Sequence, residues 1–318
     1  MWYKVFVFLL VLVGSIGFFV DSSEAGKVYF SLVTGSIGGT YYPVGNALAT
    51  VINKYVPDVY VIVETGNASV ANCLLLSREE AEMAFVQNDV LDWAYKGKYF
   101  FSKPIKNIRV FSALYPETIH IVVLKKSGIN TIYDLRGKRV AVGEIGSGTE
   151  INARILLEEA GISYKDLDVR YLESGTAAQY MKDGKIDAFF YTVGYPASVI
   201  EDVAASQEIK ILSLSKELIR KVKEKYTWFV PDFIPPKTYT NQDEGVDTLS
   251  LMAVWVGLST IPSDLVYKMV KSLFEHIEEI YFVHPKARFI SLDTALKGIS
   301  TPLHDGAERF YRERGLFK

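Results

Sequence analysis

Apolar residues fall into short strand-like runs that alternate with segments of helical spacing. Residues 27–33 form the first run, and after it Val44, Leu48, Val51, Ile52 and Tyr55 share one helical face. Residues 60–64, 84–86 and 109–114 predict further strands, with helices over 68–77 and through 91–95 between them. Tyr115-Pro116-Glu117 is expected to break the pattern before 120–124 resumes it. Short apolar strands separated by helices imply parallel sheets covered on their faces.

A second unit of the same kind follows. Residues 138–143 predict a strand, 150–160 a helix ended by Gly161, 168–172 a strand, and Ser174-Gly175-Thr176 the opening of another helix. Residues 186–191 are its last clear strand. With Pro231, Pro235, Pro236 and Gly245, residues 226–247 read as a long irregular segment. Residues 249–258 predict a strand, and Pro262-Ser263-Asp264 opens a helix with Leu265, Met269, Val270, Leu273, Ile277 and Ile280 on its apolar face. That helix has no unit of its own to cover, so it is expected to return to the first lobe. The fold class is therefore α/β, two lobes joined by a hinge around a central ligand cleft. Lobe 1 would be 26–117 plus 247–318, and lobe 2 would be 118–246.

The beginning of the chain changes the setting. Lys4, the apolar stretch 5–20 and the small-x-small site Ser23-Glu24-Ala25 read as an export signal over 1–25. An uncleaved anchor is the alternative, because about 18 apolar residues approach spanning length. Lys and Arg number 35 against 37 Asp and Glu, a near-neutral balance that argues against a nucleic-acid partner. Cys73 is the single cysteine, so no internal disulfide is available and the core must hold the fold.

Candidate chemistry sits in two glycine-rich turns. Residues 34–43, Thr-Gly-Ser-Ile-Gly-Gly-Thr-Tyr-Tyr-Pro, lie between a strand and a helix, and Gly146-Ser147-Gly148-Thr149 stand in the same place in the second unit. Such turns let backbone N–H groups approach a ligand at the positive end of a helix. A helix N-terminus favours an anion by ~0.3–1 kcal/mol when exposed and up to ~2 when partly buried. Two of them across one cleft suit a ligand with two negative ends, or one carboxylate and other polar groups. The bland alternatives are a tight turn for the first and a helix cap by Ser147 or Thr149 for the second.

Enzyme readings find less support. The turns lack the lysine of a P-loop and the G-x-G-x-x-G spacing. His120, His276, His284 and His304 are scattered, and with one cysteine neither a metal site nor a cofactor is expected. A hydrolase using Ser147 would need a base that the sequence does not advertise. Asp187 reads as a structural turn acid, and Arg154 as a residue of a solvated helix face.

Five motifs in order carry a family resemblance: Gly35 to Pro43, Phe85-Val86-Gln87-Asn88-Asp89, Gly146 to Glu150, Asp187 to Gly194, and Ile234-Pro235-Pro236-Lys237-Thr238-Tyr239. From Lys27 onward the chain resembles solute-binding receptors of the TAXI branch of tripartite ATP-independent periplasmic (TRAP) transporters. The resemblance implies a periplasmic-binding-protein type II fold and capture of a small carboxylate or amino acid, glutamate-like or a dicarboxylate. It further implies delivery to TRAP membrane subunits. A receptor of an ATP-driven importer is the alternative. Carried over, the ligand contacts would be Gly38, Gly39, Tyr41, Tyr42, Gln87 and Asn88 from the first lobe, and Ser147, Gly148, Thr149 and Tyr191 from the second. Ile37 departs from the small or hydroxyl residue that the resemblance implies, adding bulk and removing a hydroxyl.

Overall fold

Strand pairing joins the apolar runs into a single ten-stranded sheet among the described residues, which in this computed structural model are 26–317. The expected export segment lies outside them. The first unit is β1 (Val28–Val33), α1 (Tyr41–Tyr55), β2 (Val59–Glu64), α2 (Ser69–Ser77), β3 (Met83–Gln87) and α3 (Asn88–Lys96), followed by the long β4 (Ile108–Leu124). The second comprises β5 (Arg139–Ala141), α4 (Gly148–Glu159), β6 (Asp168–Arg170), α5 (Ser174–Lys182) and β7 (Ala188–Val193). After it come α6 (Ser198–Ala204), β8 (Ile209–Ile211), α7 (Lys216–Lys225), β9 (Val230–Ile234), β10 (Val246–Leu258), α8 (Ser263–Glu275) and α9 (Asp305–Glu313).

The sheet order β2-β1-β3-β10-β4-β7-β5-β6 contains the same design twice. In each unit the first strand pairs parallel with the second and third, and an antiparallel strand borders the third: β10 beside β3, β4 beside β7. β4 and β10 connect the halves. β4 pairs with β10 as far as Thr118, and from Thr118 onward with β7 and then β8. β10 pairs with β9 over Val246–Ser250 and with β3 over Ala253–Gly257. Almost all of β4 is buried, the polar Ser112, Glu117, Thr118 and His120 included.

Three expectations change. Residues 115–117 do not break the chain but lie inside β4. Leu114 and Tyr115 together face Ala253, a bulge beside Pro116, and at such an irregularity a missing N–H is tolerated. Residues 226–247 are not irregular throughout: β9 forms there despite Pro231, because among the described residues it pairs only with β10. Tyr55 leaves the apolar face of α1 and stacks instead on His276, just past α8, at a ring separation of 3.4 Å. Lys54 pairs with Glu279 beside it, so the C-terminal helix returns to the first unit. Ile277 has left α8 for a short 3-10 turn, after which Ile280 is buried.

Asn72, fully buried on α2, fixes the ends of two strands that carry cleft residues. Its Nδ2 donates to Thr34 O (2.8 Å) and Phe85 O (2.9 Å), after β1 and within β3. Replacing Asn72→Ala leaves two buried carbonyls without this donor. Urea denaturation should register a loss of ~2 kcal/mol with an unchanged denaturant slope; a loss below ~0.5 kcal/mol would deny Asn72 that role.

Candidate functional site

The carboxyl ends of β1, β3, β5 and β7 converge, and a cavity of about 70 Å³ lies between the two units. At ~10–15 Å³ per enclosed water this is room for about five waters, a small organic molecule rather than a peptide. Gly35, Ser36, Gly39, Tyr41, Ser69 and Gln87 line it from the first unit, with Glu117 from β4. Gly143, Glu144, Ser147, Gly148 and Thr149 line it from the second, with Glu173, Ser174, Tyr191 and Thr192.

Seven of the ten expected contacts are thus brought together: Gly39, Tyr41, Gln87, Ser147, Gly148, Thr149 and Tyr191. Gly38, Tyr42 and Asn88 are not among the lining residues. A Cβ on Gly38 would stand 2.5 Å from Val199 Cγ2, and its carbonyl accepts from Ser198 Oγ, so Gly38 serves the contact between lobes. Tyr42 is one position round α1 from the face that Tyr41 shares with Val44 and Leu48. Asn88 bridges two chain segments instead: Oδ1 accepts from Met252 N (3.1 Å), and Nδ2 donates to Gly298 O (3.0 Å). Ile37 is 71% exposed, so its bulk does not shape the cavity.

Two glycines bring their backbones close to side chains across the cleft. A Cβ on Gly148 would lie 2.2 Å from Gln87 Oε1, and one on Gly39 would lie 2.9 Å from Tyr191 Oη. Ser147 is the cap of α4: its Oγ accepts from Glu150 N and donates to Glu144 O. Among the described residues its Oγ hydrogen-bonds to backbone groups and to no side-chain base. The buried His120 ring meets Thr118 O and Tyr239 Oη, each at 2.9 Å, and burial lowers its pKa to about 4. Among the described residues no group of His, Cys, Asp or Glu is placed to hold a metal. Asp187 accepts two bonds from the Arg139 side chain, and Arg154 pairs with Glu150 while lying over the Tyr164 ring.

Glu117 is the main lining residue that sequence reading missed, because it was assigned to a break between elements. It is buried, and Tyr41 Oη donates to its Oε2 at 2.7 Å. Burial raises this carboxyl to about 8, with the nearby Asp89 adding to the shift. Behind it Asp89 is raised to about 7, also by burial. Asp89 accepts from its own Val90 N (2.7 Å) and, across the interface, from Asn152 Nδ2 (3.2 Å). At the rim, burial pushes Glu173 up, but Gly175 N, Ser174 Oγ and Thr176 N together hold it below the usual range. Glu144 is raised by burial and by Glu173.

With this geometry in view, the sequence was compared with known families and solved structures. The profile described as the NMT1-like family matches residues 32–315. The chain belongs to the NMT1-like family. Among solved structures it is similar to a protein of Bordetella bronchiseptica RB50 (16% identity, 91% of this chain and 83% of that one, TM-score 0.53). It is also similar to an ancestral arginine-binding protein bound to arginine (15%, 80% and 97%, 0.50). A third similar structure is a putative L-cystine ABC transporter protein from Listeria monocytogenes (16%, 84% and 98%, 0.50). At these identities the likeness establishes the fold, and this NMT1-like chain has the two-lobed periplasmic-binding-protein type II architecture.

The raised carboxyl has a defined consequence for stability. Between pH 5 and 8 the unfolded chain holds Glu117 ionised while the native protein keeps it protonated, so folding loses free energy as pH rises. Glu117→Gln removes that loss. Its stability relative to the parent protein should grow by up to ~1.4 kcal/mol per pH unit across this window and level off above about pH 8. Thermal melts of both proteins at half-unit pH steps check this; a pH-independent difference would overturn the assignment.

Proposed function

We propose that this chain is an extracytoplasmic solute receptor that closes its two lobes on a small carboxylate or amino acid, without chemistry. The observation that carries the reading is the cleft cavity lined from both units, with Glu117 of the shared strand β4 among its lining residues. For this function the lobes divide as 26–117 plus 247–318 and 118–246, with bending along β4 and β10. The use of the Ser147 hydroxyl as the cap of α4, bonded to Glu144 O and Glu150 N, supports a receptor over a hydrolase. The expected signal over 1–25 supports export to the periplasm.

The TAXI resemblance supports delivery to TRAP membrane subunits. One similar structure is described as an ABC transporter protein, which favours the second reading, a receptor of an ATP-driven importer. Capture of the membrane partner by the tagged receptor separates the two: a large multi-span permease supports the first, a complex with an ATPase the second.

A thermal-shift and calorimetry panel of amino acids and small carboxylates tests the receptor itself. A ligand at 100 times its dissociation constant should add ~2.7 kcal/mol of stability. If nothing in the panel moves the melt, the reading fails. Closure has its own test in Gly38→Val, whose side chain would meet Val199 from the other lobe. It should weaken binding about tenfold or more, ~1.4 kcal/mol, while the ligand-free melt stays within a few degrees; undiminished affinity would remove Gly38 from the closing surface.

A further inference from the structure

Every charged side chain in the cavity lining is acidic. Glu117, Glu144 and Glu173 are all present, and among the described residues no Lys, Arg or His joins them. Glu173 is already committed to the first turn of α5. Glu117 is placed differently. Tyr41 occupies its Oε2, and its Oε1 has no hydrogen-bond donor among the described residues. The groups that face it are Tyr41 from α1, Tyr115 from its own strand, Tyr191 from β7 and Asp89 from α3, none of them cationic.

Two more buried atoms of the lining lack partners among the described residues, the acceptor Gln87 Oε1 and the hydroxyl Thr192 Oγ1. A ligand carboxylate, which only accepts, leaves the acceptor Gln87 Oε1 unanswered and brings a further negative charge to an acidic lining; an ammonium brings three donors and the complementary charge. Beside Glu150 N, which Ser147 caps, the backbone N–H groups of Tyr41, Gly148 and Thr149 that open α1 and α4 lie at the cavity for one negative end. The other two helix starts nearby are occupied. Val70 N and Ala71 N at α2 donate to Gly146 O, and α5 is capped by Glu173.

We propose that the cleft selects small zwitterions, amino acids with a free ammonium group, and rejects acids that lack the amine. The ammonium sits against the Glu117 carboxylate, and the ligand carboxylate against the first turns of α1 and α4. The proposal rests on the receptor reading and narrows it: of the ligands expected from sequence, simple dicarboxylates are the ones excluded. Burial holds Glu117 protonated near neutral pH in the free protein, so forming the ion pair expels that proton to solvent. Binding then releases up to one proton below about pH 8, and affinity rises with pH until Glu117 is ionised.

The test uses the mature chain and matched pairs: glutamate with glutarate, glutamine with glutaramate, and the other amino acids with the acids left when hydrogen replaces the amine. The expected result is at least one amino acid bound about 100-fold or more tighter than its partner acid. Its binding enthalpy at pH 7 should differ between phosphate and Tris by the release of a proton. Glu117→Gln should abolish both the preference and the release. A partner acid bound within tenfold of its amino acid, or binding without proton release, overturns the proposal while the receptor stands. If no compound of either series binds, receptor and proposal fall together.

Discussion

Everything in the cleft depends on two long strands, β4 and β10, that exchange pairing partners along their length. A buried strand must place each backbone N–H and C=O in a ladder or leave it unsatisfied. β4 meets this demand with β10 on one stretch and with β7 and β8 on the next, changing partners at Thr118. One strand therefore belongs to both lobes, and neither lobe can slide against the other without breaking pairs in its own sheet. A slip of one residue would also turn Glu117 to the opposite face. What remains free is bending and twisting along the shared strands, the motion a clamshell needs.

That fixed register makes the cleft dipolar. On two sides it presents the first turns of α1 and α4, the feature behind the expectation of an anion site. On its floor it presents a buried carboxyl held by one tyrosine. The backbone ends are worth at most ~2 kcal/mol each toward a negative group, and a second carboxylate beside Glu117 would keep that carboxyl protonated, whereas an ammonium favours its ionised form. Backbone donors alone do not make the cavity a dianion site, because the side chains around them carry the opposite preference.

The repeated strand-turn-helix pattern was legible because it is written locally, in glycine-rich turns and in the spacing of residues such as Val44, Leu48 and Ile52. Proline misled twice, at Pro116 and Pro231, because its missing N–H matters only where the ladder needs it. A bulge and a strand paired on one side do not. Choosing Tyr41 over Tyr42 lay within reach of the sequence: Tyr41 falls on the buried stripe at i+3 and i+7, and Tyr42 does not. Glu117 and Asn88 lay beyond it. Their roles come from partners 76 and 210 residues away, Tyr41 and Gly298, which only the folded topology brings near.

The contacts that join the lobes explain how such a cleft can close on an object. They are mostly single neutral hydrogen bonds. Gly146 O receives Val70 N, Ser36 Oγ meets Ser174 Oγ, Ser198 Oγ donates to Gly38 O, and Thr40 Oγ1 donates to Gly194 O. Each group would bond to water if the lobes parted, so each contributes only ~0.5–1.5 kcal/mol net to closure. Several such bonds oppose the loss of interlobe freedom without overwhelming it. The polar lining atoms without partners among the described residues, Gln87 Oε1 and Thr192 Oγ1, are a different matter, since burying them unpaired works against closure. A ligand that supplies their missing partners therefore acts on the balance twice, by adding its own contacts and by removing the cost of enclosing those atoms.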